Sequence, residues 1–567
     1  MTSHPKNTPY RGGELLVQSL LAQKVDRAYC VPGESYLAVL DALFDVREKI
    51  DLVVCRNEGG AANMAEAHGK LTGRPGVCFV TRGPGATHAS IGVHTAFQDS
   101  TPMVMFVGQV ARSMRDREGF QEVDFTAMFA PLAKWSAEIN DPARIPEYVH
   151  RAFQTAMAGR PGPVVLSLPE DVLSEAVSET IDAGLVAAPL AGAPAPTQVE
   201  MICSMVERAE RPLMIVGGGG WTQETALHVE RFAASFGVAV VASLRCQDYV
   251  SNDHPNYVGH LTIGAEAKLV RRVREADLLI VLGARLGEMT TKGYTIVEPG
   301  AGHQAMIHIY PDPEELGRVY QATLPVNAGA GPTAAALAAA APGRVHGRQA
   351  WLAACRAEYE ETLKAAPRDT PVDPAQVVTH LQQVLPADTI VASGAGNYTA
   401  WVHKYWKFAS YRTQLAPTSG AMGYGVPAAI AAARTLPGRT VLCFAGDGCF
   451  LMSGQELATA AQYDVKVLFI IINNGMYGTI RMHQEREFPG RVYGTDLKNP
   501  DFVLLARAYG LQAERVTLFA EFPAAVARAV AAPGSALIEV VTEQDLISVR
   551  TTINAMRDAA HRDGVSA

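Results

Sequence analysis

The apolar run Thr440-Val-Leu-Cys-Phe-Ala445 ends in Gly446-Asp447-Gly448, and a second apolar run, Val465 to Ile472, ends in Asn473-Asn474. Between them Ser453-Gly454-Gln455-Glu456 has capping-box spacing and opens a helix through about Gln462. Strand, helix, strand predicts a βαβ unit. Its strands run parallel, so Asp447 and Asn474 are expected at neighbouring carboxyl ends, where ligands of open α/β sheets sit. A carboxylate, an amide oxygen and a backbone carbonyl just beyond make a hard, all-oxygen half-shell suited to Mg²⁺, which completes its octahedron with phosphate oxygens and water. Flanking glycines admit close backbone approach and a helix N-terminus favours anions, so the chemistry expected here is the holding of a diphosphate through a divalent cation. A Gly-Asp-Gly by itself is a turn after a strand. Specificity comes from the pairing, Asp447 and Asn474 standing 27 residues apart with a capped helix between.

A second acid, Glu58, stands in Arg56-Asn57-Glu58-Gly59-Gly60-Ala61-Ala62-Asn63-Met64-Ala65-Glu66, after the apolar Leu52 to Cys55 and at a helix start. Read by itself it is a first-turn glutamate placed favourably for the helix dipole. The elements that must position these groups form three series. From residue 11 to about 180, short apolar runs (Val53 to Cys55, Val77 to Val80, Met103 to Val107, Val164 to Leu168) alternate with helical patterns, the mark of a parallel sheet with crossover helices. The Ala-, Pro- and Gly-rich segment from Ala183 to Pro196 reads as a linker. A second series has strands near Leu213 to Val216, Val238 to Val241 and Leu278 to Leu282 and fades at Pro342-Gly343; after a charged helical stretch, Ala365 to Pro374 punctuates again, and a third series runs to the end. The fold class expected is α/β, with three doubly wound parallel-sheet domains at 1–182, 196–345 and 366–555, distant copies of one plan.

A chain of 567 residues has room for about three or four domains. With 48% hydrophobic and 19% charged residues it is a folded globular chain, and 49 Lys+Arg against 57 Asp+Glu, a formal charge of −8, leave no general basic field for nucleic acid or anionic lipid. The longest apolar runs are strand-length, which excludes a membrane-spanning helix. The polar start and the lack of a lipidation motif favour the cytoplasm. Eight scattered cysteines without a CxxC pair read as reduced core residues.

The GDG and NN pair at this offset resembles the thiamine diphosphate signature. Over essentially its whole length the chain resembles the thiamine-diphosphate-dependent enzyme superfamily, and within it acetolactate synthase (acetohydroxyacid synthase) large subunits and their relatives. The resemblance implies that Asp447, Asn474 and the Met476 carbonyl bind Mg²⁺. It implies a thiamine diphosphate site at Gly446, Gly448, Cys449 and Tyr477, with Ala395, Gly396, Asn397 and Tyr398 as the other wall and Pro32 from the first domain. Gly420 to Pro427 is similar to the loop that cradles the pyrimidine, and Met422, otherwise a core methionine, would hold the cofactor bent. Glu58 would face the aminopyrimidine and promote the tautomer that removes the thiazolium proton. In the superfamily this acid and the metal ligands come from two subunits, which implies a homodimer or homotetramer with active sites between chains.

By the same resemblance the substrate site takes Gln109, Phe120, Gln121 and Lys134, with the segments Pro32 to Ser35 and Gly83 to His88 beside them. Read alone, Lys134 is a solvated side chain, Phe120 is core packing, and His88 and His94 are either proton carriers or structural. Two departures bear on substrate. His483 stands where acetolactate synthases carry the tryptophan that selects the acceptor, and Gly283-Ala-Arg285-Leu-Gly-Glu-Met289 matches only the opening of a flavin-contacting segment, which leaves FAD as a possible second cofactor beside the weak signal of Gly217 to Gly220. The expected function is decarboxylation of a 2-oxo acid with ligation to a second oxo compound. The alternatives are a non-ligating decarboxylase, a 2-hydroxyacyl thioester lyase and, from another class, a catalytically silent partner-binding subunit; a regulatory subunit is left open.

Overall fold

The computed structural model describes residues 10–177, 185–300, 304–343 and 347–562. The expected domain limits 1, 182 and 345, and Ala183 at the head of the linker, lie outside these residues.

The first sheet contains β1 (Arg27–Cys30), β2 (Asp51–Val54), β3 (Gly76–Val80), β4 (Met103–Gln109), β5 (Trp135–Glu138) and β6 (Pro163–Pro169) in the order β2-β1-β3-β4-β6-β5, all parallel. β3, β4 and β6 are buried along their whole length, which is why they read as unbroken apolar runs. The helices Glu58–Thr72 and Gly83–Asp99 cross closely, since a Cβ on Gly92 would lie 2.4 Å from that of Ala62.

The second sheet contains β7 (Pro212–Val216), β8 (Ala239–Ala242), β9 (Tyr257–His260), β10 (Leu278–Leu282), β11 (Ala305–Tyr310) and β12 (Leu324–Asn327), ordered β12-β11-β10-β7-β8-β9. The third contains β13 (Ile390–Ser393), β14 (Gln414–Leu415), β15 (Val441–Gly446), β16 (Leu468–Asn473), β17 (Gln512–Val516) and β18 (Ala536–Val541), ordered β14-β13-β15-β16-β18-β17. The first and third sheets thus share one plan, and the second follows the dinucleotide-fold order instead. The expectation of one plan holds for two of the three.

The chain forms two compact units, Met1–Leu190 with the first sheet and Ala191–Ala567 with the other two. Buried polar bonds join the second and third sheets. Asp248 Oδ2 accepts from the backbone N–H of Thr413 and Gln414 at 3.0 and 3.1 Å, and the Gln247 N–H donates to Gln414 Oε1 at 2.9 Å. The strands that apolar runs did not announce are short or carry polar residues. β1 opens on Arg27, which pairs with Asp51 of β2 at 2.8 Å, β12 alternates buried with exposed positions, and β17 buries only Ala513 and Val516. Residues 185–195 hold neither helix nor strand, and Pro196 opens the next helix, Pro196–Arg208.

The cysteines are free, and all but Cys203 are buried. Among the described residues no helix is long and apolar enough to cross a membrane. The expected capping box does not form. Ser453 Oγ donates to the Gly423 carbonyl at 2.6 Å and Glu456 Oε2 accepts from Thr459 at 2.6 Å, so a 3-10 turn, Gly454–Glu456, leads into the helix Leu457–Gln462. That serine bond ties the loop bearing Met422 to the element that follows Asp447.

Candidate active site

Parallel pairing of β15 with β16 puts Gly446 beside Ile472, so the chain leaves both strands at one edge. Asp447 begins a helical turn, Asp447–Leu451, and is 3% exposed. Its Oδ1 accepts from the Gly448 N–H at 2.9 Å, and its Oδ2 accepts from the Gly475 N–H at 2.9 Å and from Asn499 Nδ2 at 2.7 Å. Burial pushes this carboxyl above its ordinary range, against the opposing pull of Asn499 and the two backbone donors. Beside it, Asn474 Oδ1 has one long bond, 3.3 Å, from the Met476 N–H, and the Met476 carbonyl accepts from the Gly478 N–H at 2.9 Å. A carboxylate, an amide oxygen and a carbonyl that keep lone pairs to spare are the donor set of a hard divalent cation, and the residues present fit Mg²⁺.

These residues border a cavity of about 350 Å³. Ala395, Gly396, Asn397 and Tyr398 line it after β13, Gly446, Asp447, Gly448 and Cys449 after β15, Asn474, Met476 and Tyr477 after β16, and Gly420 and Met422 from the loop before the helix Gly425–Thr435. Every cofactor residue expected of this part of the chain is therefore on one surface. The walls leave no slack. A Cβ on Gly448 would sit 2.6 Å from the Tyr477 ring and one on Gly446 would sit 2.7 Å from Tyr398. Cys449 Sγ accepts from Tyr398 Oη and from the Gly423 N–H, each at 3.2 Å, which locks the three walls together. Met422 is half-buried and packs against the core of the third sheet.

The first unit places Pro32, Glu58, Gln109, Phe120 and Gln121 at the carboxyl edge of its own sheet, whereas Lys134, expected beside them, precedes β5 and lies at the opposite, amino edge. Asn57 caps the helix Glu58–Thr72, and Glu58 Oε2 lies 2.9 Å from His88 Nδ1, the glutamate being 14% and the histidine 59% exposed. Pro32, after β1, is exposed. The Gly83 N–H donates to the Gln121 carbonyl at 3.0 Å, Gln121 has a positive φ of 64°, and Phe120 beside it is 72% exposed, which removes the core-packing reading of that ring. Gln109 is fully buried, its Nε2 donating to the Val123 carbonyl at 2.8 Å and its Oε1 accepting from the Val110 N–H at 2.9 Å. Lys134 Nζ donates to the Thr155 and Ala158 carbonyls, both at 2.6 Å, and so closes the end of the helix Ile145–Met157.

His483 is not on the 350 Å³ cavity. It lines a neighbouring cavity of about 620 Å³, on the helix Gly478–Glu487. Gly217 to Gly220 and Gly283 to Arg285 follow β7 and β10, adjacent strands of the second sheet. Sequence reasoning missed Asn499, which reaches Asp447 across 52 residues from an irregular segment, and Glu539, whose 2.7 Å bond from Asn473 extends the network onto β18. Neither carried a motif signal, whereas Asn473 did, as the first residue of the Asn473-Asn474 pair.

Comparison with known proteins agrees with this geometry. The chain matches the thiamine pyrophosphate enzyme N-terminal TPP-binding domain over residues 10–128, the central domain over 199–337 and the C-terminal TPP-binding domain over 394–540. It is 32% identical to the acetolactate synthase large subunit of Corynebacterium glutamicum, covering 91% of this chain and 84% of that one. To the acetolactate synthase isozyme 2 large subunit of Escherichia coli (strain K12) it is 30% identical, covering 94% and 96%. To a probable acetolactate synthase large subunit of Methanocaldococcus jannaschii it is 31% identical, covering 89% and 87%. With three thiamine pyrophosphate domains in order and such relatives along nearly its whole length, the chain belongs to the thiamine-diphosphate-dependent enzymes of the acetolactate synthase large-subunit family.

Proposed function

We propose that this enzyme uses thiamine diphosphate and Mg²⁺ to decarboxylate a 2-oxo acid such as pyruvate and to join the remaining two-carbon unit to the carbonyl of a second oxo compound. The observation that carries the reading is the single cavity on which Asp447, Asn474, Met476 and Met422 meet the glycine walls at Gly446 and Gly448. When bound, thiamine diphosphate supplies a carbon nucleophile and an electron sink. The chain's own residues do the rest. Asp447, Asn474 and the Met476 carbonyl hold the metal and through it the diphosphate; Met422 sets the cofactor's shape; Glu58 holds or yields a proton at Oε2, where His88 already makes contact.

Glu58 belongs to one compact unit and Asp447 to the other, and the proposed working form is a homodimer or homotetramer in which these groups come from different copies. The eight free thiols suit a reducing compartment, in keeping with a cytoplasmic enzyme. FAD is the finer proposal for the second sheet. Its strand order reverses between β7 and β10, and the loops after those strands, Gly217 to Gly220 and Gly283 to Arg285, stand where such sheets bind dinucleotides. Release of flavin on denaturing the purified enzyme tests this, and an active preparation free of flavin removes it.

The deciding experiment incubates the enzyme with Mg²⁺, thiamine diphosphate and pyruvate, with and without a second oxo compound, and identifies products by mass. A 2-hydroxy-2-alkyl-3-oxo acid or another ligated ketol supports the proposal. Carbon dioxide with free aldehyde alone moves the chain to the decarboxylases, and no turnover on any oxo acid or acyl thioester with cofactor bound makes it a silent subunit.

A further inference from the structure

The cofactor cavity shares Asn397, His403 and Thr479 with the larger cavity of about 620 Å³, a volume far beyond the needs of a three-carbon oxo acid. The electrostatics of the larger cavity are one-sided. Lys268, Arg272, Lys292, Lys404, Arg486 and Arg550 line it against two carboxylates, Glu266 and Glu358. Both carboxylates are already committed. Glu266 Oε1 takes Lys404 Nζ at 3.0 Å and Arg550 at 3.3 Å, while Glu358 takes Arg272 at 2.6 and 2.9 Å and Arg271 at 2.6 Å. Lys268, Lys292 and Arg486 make no ion pair among the described residues.

The helix Gly478–Glu487 brings part of this charge to the ligand. Thr479, Met482, His483 and Arg486 follow i, i+3, i+4, i+7 spacing and all line the cavity. The helix is fastened from another side, where buried Glu485 accepts from Arg481 at 2.7 Å and from Arg557 at 2.6 Å. His403 lines both cavities, is 6% exposed, and has a buried Nε2 without a hydrogen-bond partner among the described residues.

We infer that the larger cavity binds the second substrate, and that this substrate is an oxo compound carrying two negative charges, as a second carboxylate or a phosphate ester, with Arg486 and Lys292 among its charge partners. The inference rests on the ligation reading above and adds the substrate class. In the reaction the donor's carboxylate leaves as CO₂, a carbon–carbon bond forms between the donor and acceptor carbonyl carbons, and the acceptor oxygen takes up one proton to become a hydroxyl. The excess of unpaired cations offsets the charge that a dianion brings, and a monoanion leaves that excess standing.

The test uses the holoenzyme with saturating pyruvate and compares kcat/KM for three acceptors: 2-oxobutanoate, a monoanion, 2-oxoglutarate, a dicarboxylate, and glycolaldehyde phosphate, a phosphate ester. One of the two dianions is expected to exceed 2-oxobutanoate by at least tenfold, and which one tells carboxylate from phosphate. Arg486→Ala and Lys292→Ala, at exposed positions, should each cut the dianion-to-monoanion ratio by about tenfold, the scale of one charge-assisted contact, and Arg486→Lys should restore most of it. A preference for 2-oxobutanoate, or a ratio unmoved by both alanine variants, overturns the inference and leaves ligation intact. Carbon dioxide and acetaldehyde alone with every acceptor overturns the ligation reading as well.

Discussion

Asn499 gives the sharpest test of how the proposed metal site is held. Its Nδ2 donates to Asp447 Oδ2 at 2.7 Å and to Asn473 Oδ1 at 2.9 Å. Asn473 in turn donates to Glu539 at 2.7 Å, and Glu539 accepts from Arg515 at 2.8 Å. Asp447 therefore stands at the end of a hydrogen-bond chain across the ends of β16 and β18, and Asn499 is the largest single influence opposing the rise that burial imposes on its carboxyl. Replacing Asn499 with alanine removes a bond to a charged group, worth about 1.5–3 kcal/mol, part of which water entering the vacated space recovers. At about 1.4 kcal/mol per tenfold, the expected loss in Mg²⁺ affinity is roughly 10- to 100-fold, the range found when outer partners of metal ligands are removed. The assay titrates Mg²⁺ into apoenzyme at fixed thiamine diphosphate and follows binding by calorimetry, with thermal unfolding of both proteins alongside. Mg²⁺ affinity within about twofold of the parent, at a parental Tm, would refute the claim that Asn499 positions Asp447.

Four further outcomes are expected. Glu58→Gln retains thiamine diphosphate binding and loses at least about 100-fold in turnover, the scale of general acid–base catalysis, read by calorimetry and product formation. Mixing inactive Glu58→Gln with inactive Asp447→Asn after subunit exchange restores about one quarter of the activity if each site draws on two copies, and none if each chain completes its own site. Gly448→Ala drives a methyl to 2.6 Å from Tyr477, and the displaced ring costs about 1–3 kcal/mol of stability, seen as a lower Tm, together with weaker cofactor binding. Glu485, drawn from its ordinary 4.5 to about 2 chiefly by its hydrogen bond from Arg557, holds the C-terminal helix Ile553–Arg562 with a strength that is full above pH 4.5 and lost as pH falls toward 2. Hydrogen exchange in that helix should rise over the same window, and the pH dependence should vanish in Glu485→Gln.

Legibility in the sequence followed burial. β15 and β16 are buried almost throughout and end in residues that cannot continue a strand core, so both strands, the crossover between them and the meeting of Asp447 with the Asn474 turn were readable. β14 has two residues and β17 buries only Ala513 and Val516, three positions apart, so neither rises above its surroundings as a pattern. Ser453 to Glu456 carried the spacing of a cap, yet a competing acceptor, the Gly423 carbonyl, took the serine hydroxyl, and no local signal marks an acceptor 30 residues away. The 620 Å³ cavity was illegible for the same reason. It collects side chains from β9, from the helices Ala267–Glu275 and Gln349–Thr362, from the third sheet's crossovers and from Ser548 to Thr551, and only folding puts their charges on one surface.

The three sheets show why glycine runs alone are poor guides to ligands here. In each sheet the order reverses between two adjacent strands, β1 and β3, β7 and β10, β13 and β15, and the loops leaving those strands must diverge from a common edge. Each pair of loops touches through glycine. A Cβ on Gly33 would lie 2.5 Å from Thr81, one on Gly218 would lie 1.9 Å from the Gly283 carbonyl, and one on Gly394 would lie 2.5 Å from Cys449 Sγ. Loop against loop is thus reason enough for these glycines, in the first and second sheets as much as in the third. What distinguishes the third is the set of oxygen donors beside its glycines: a buried Asp447 braced by three N–H donors, with Asn474 and the Met476 carbonyl alongside. Topology makes the same crevice three times, and the oxygen donors single out the third as the one that fits a metal.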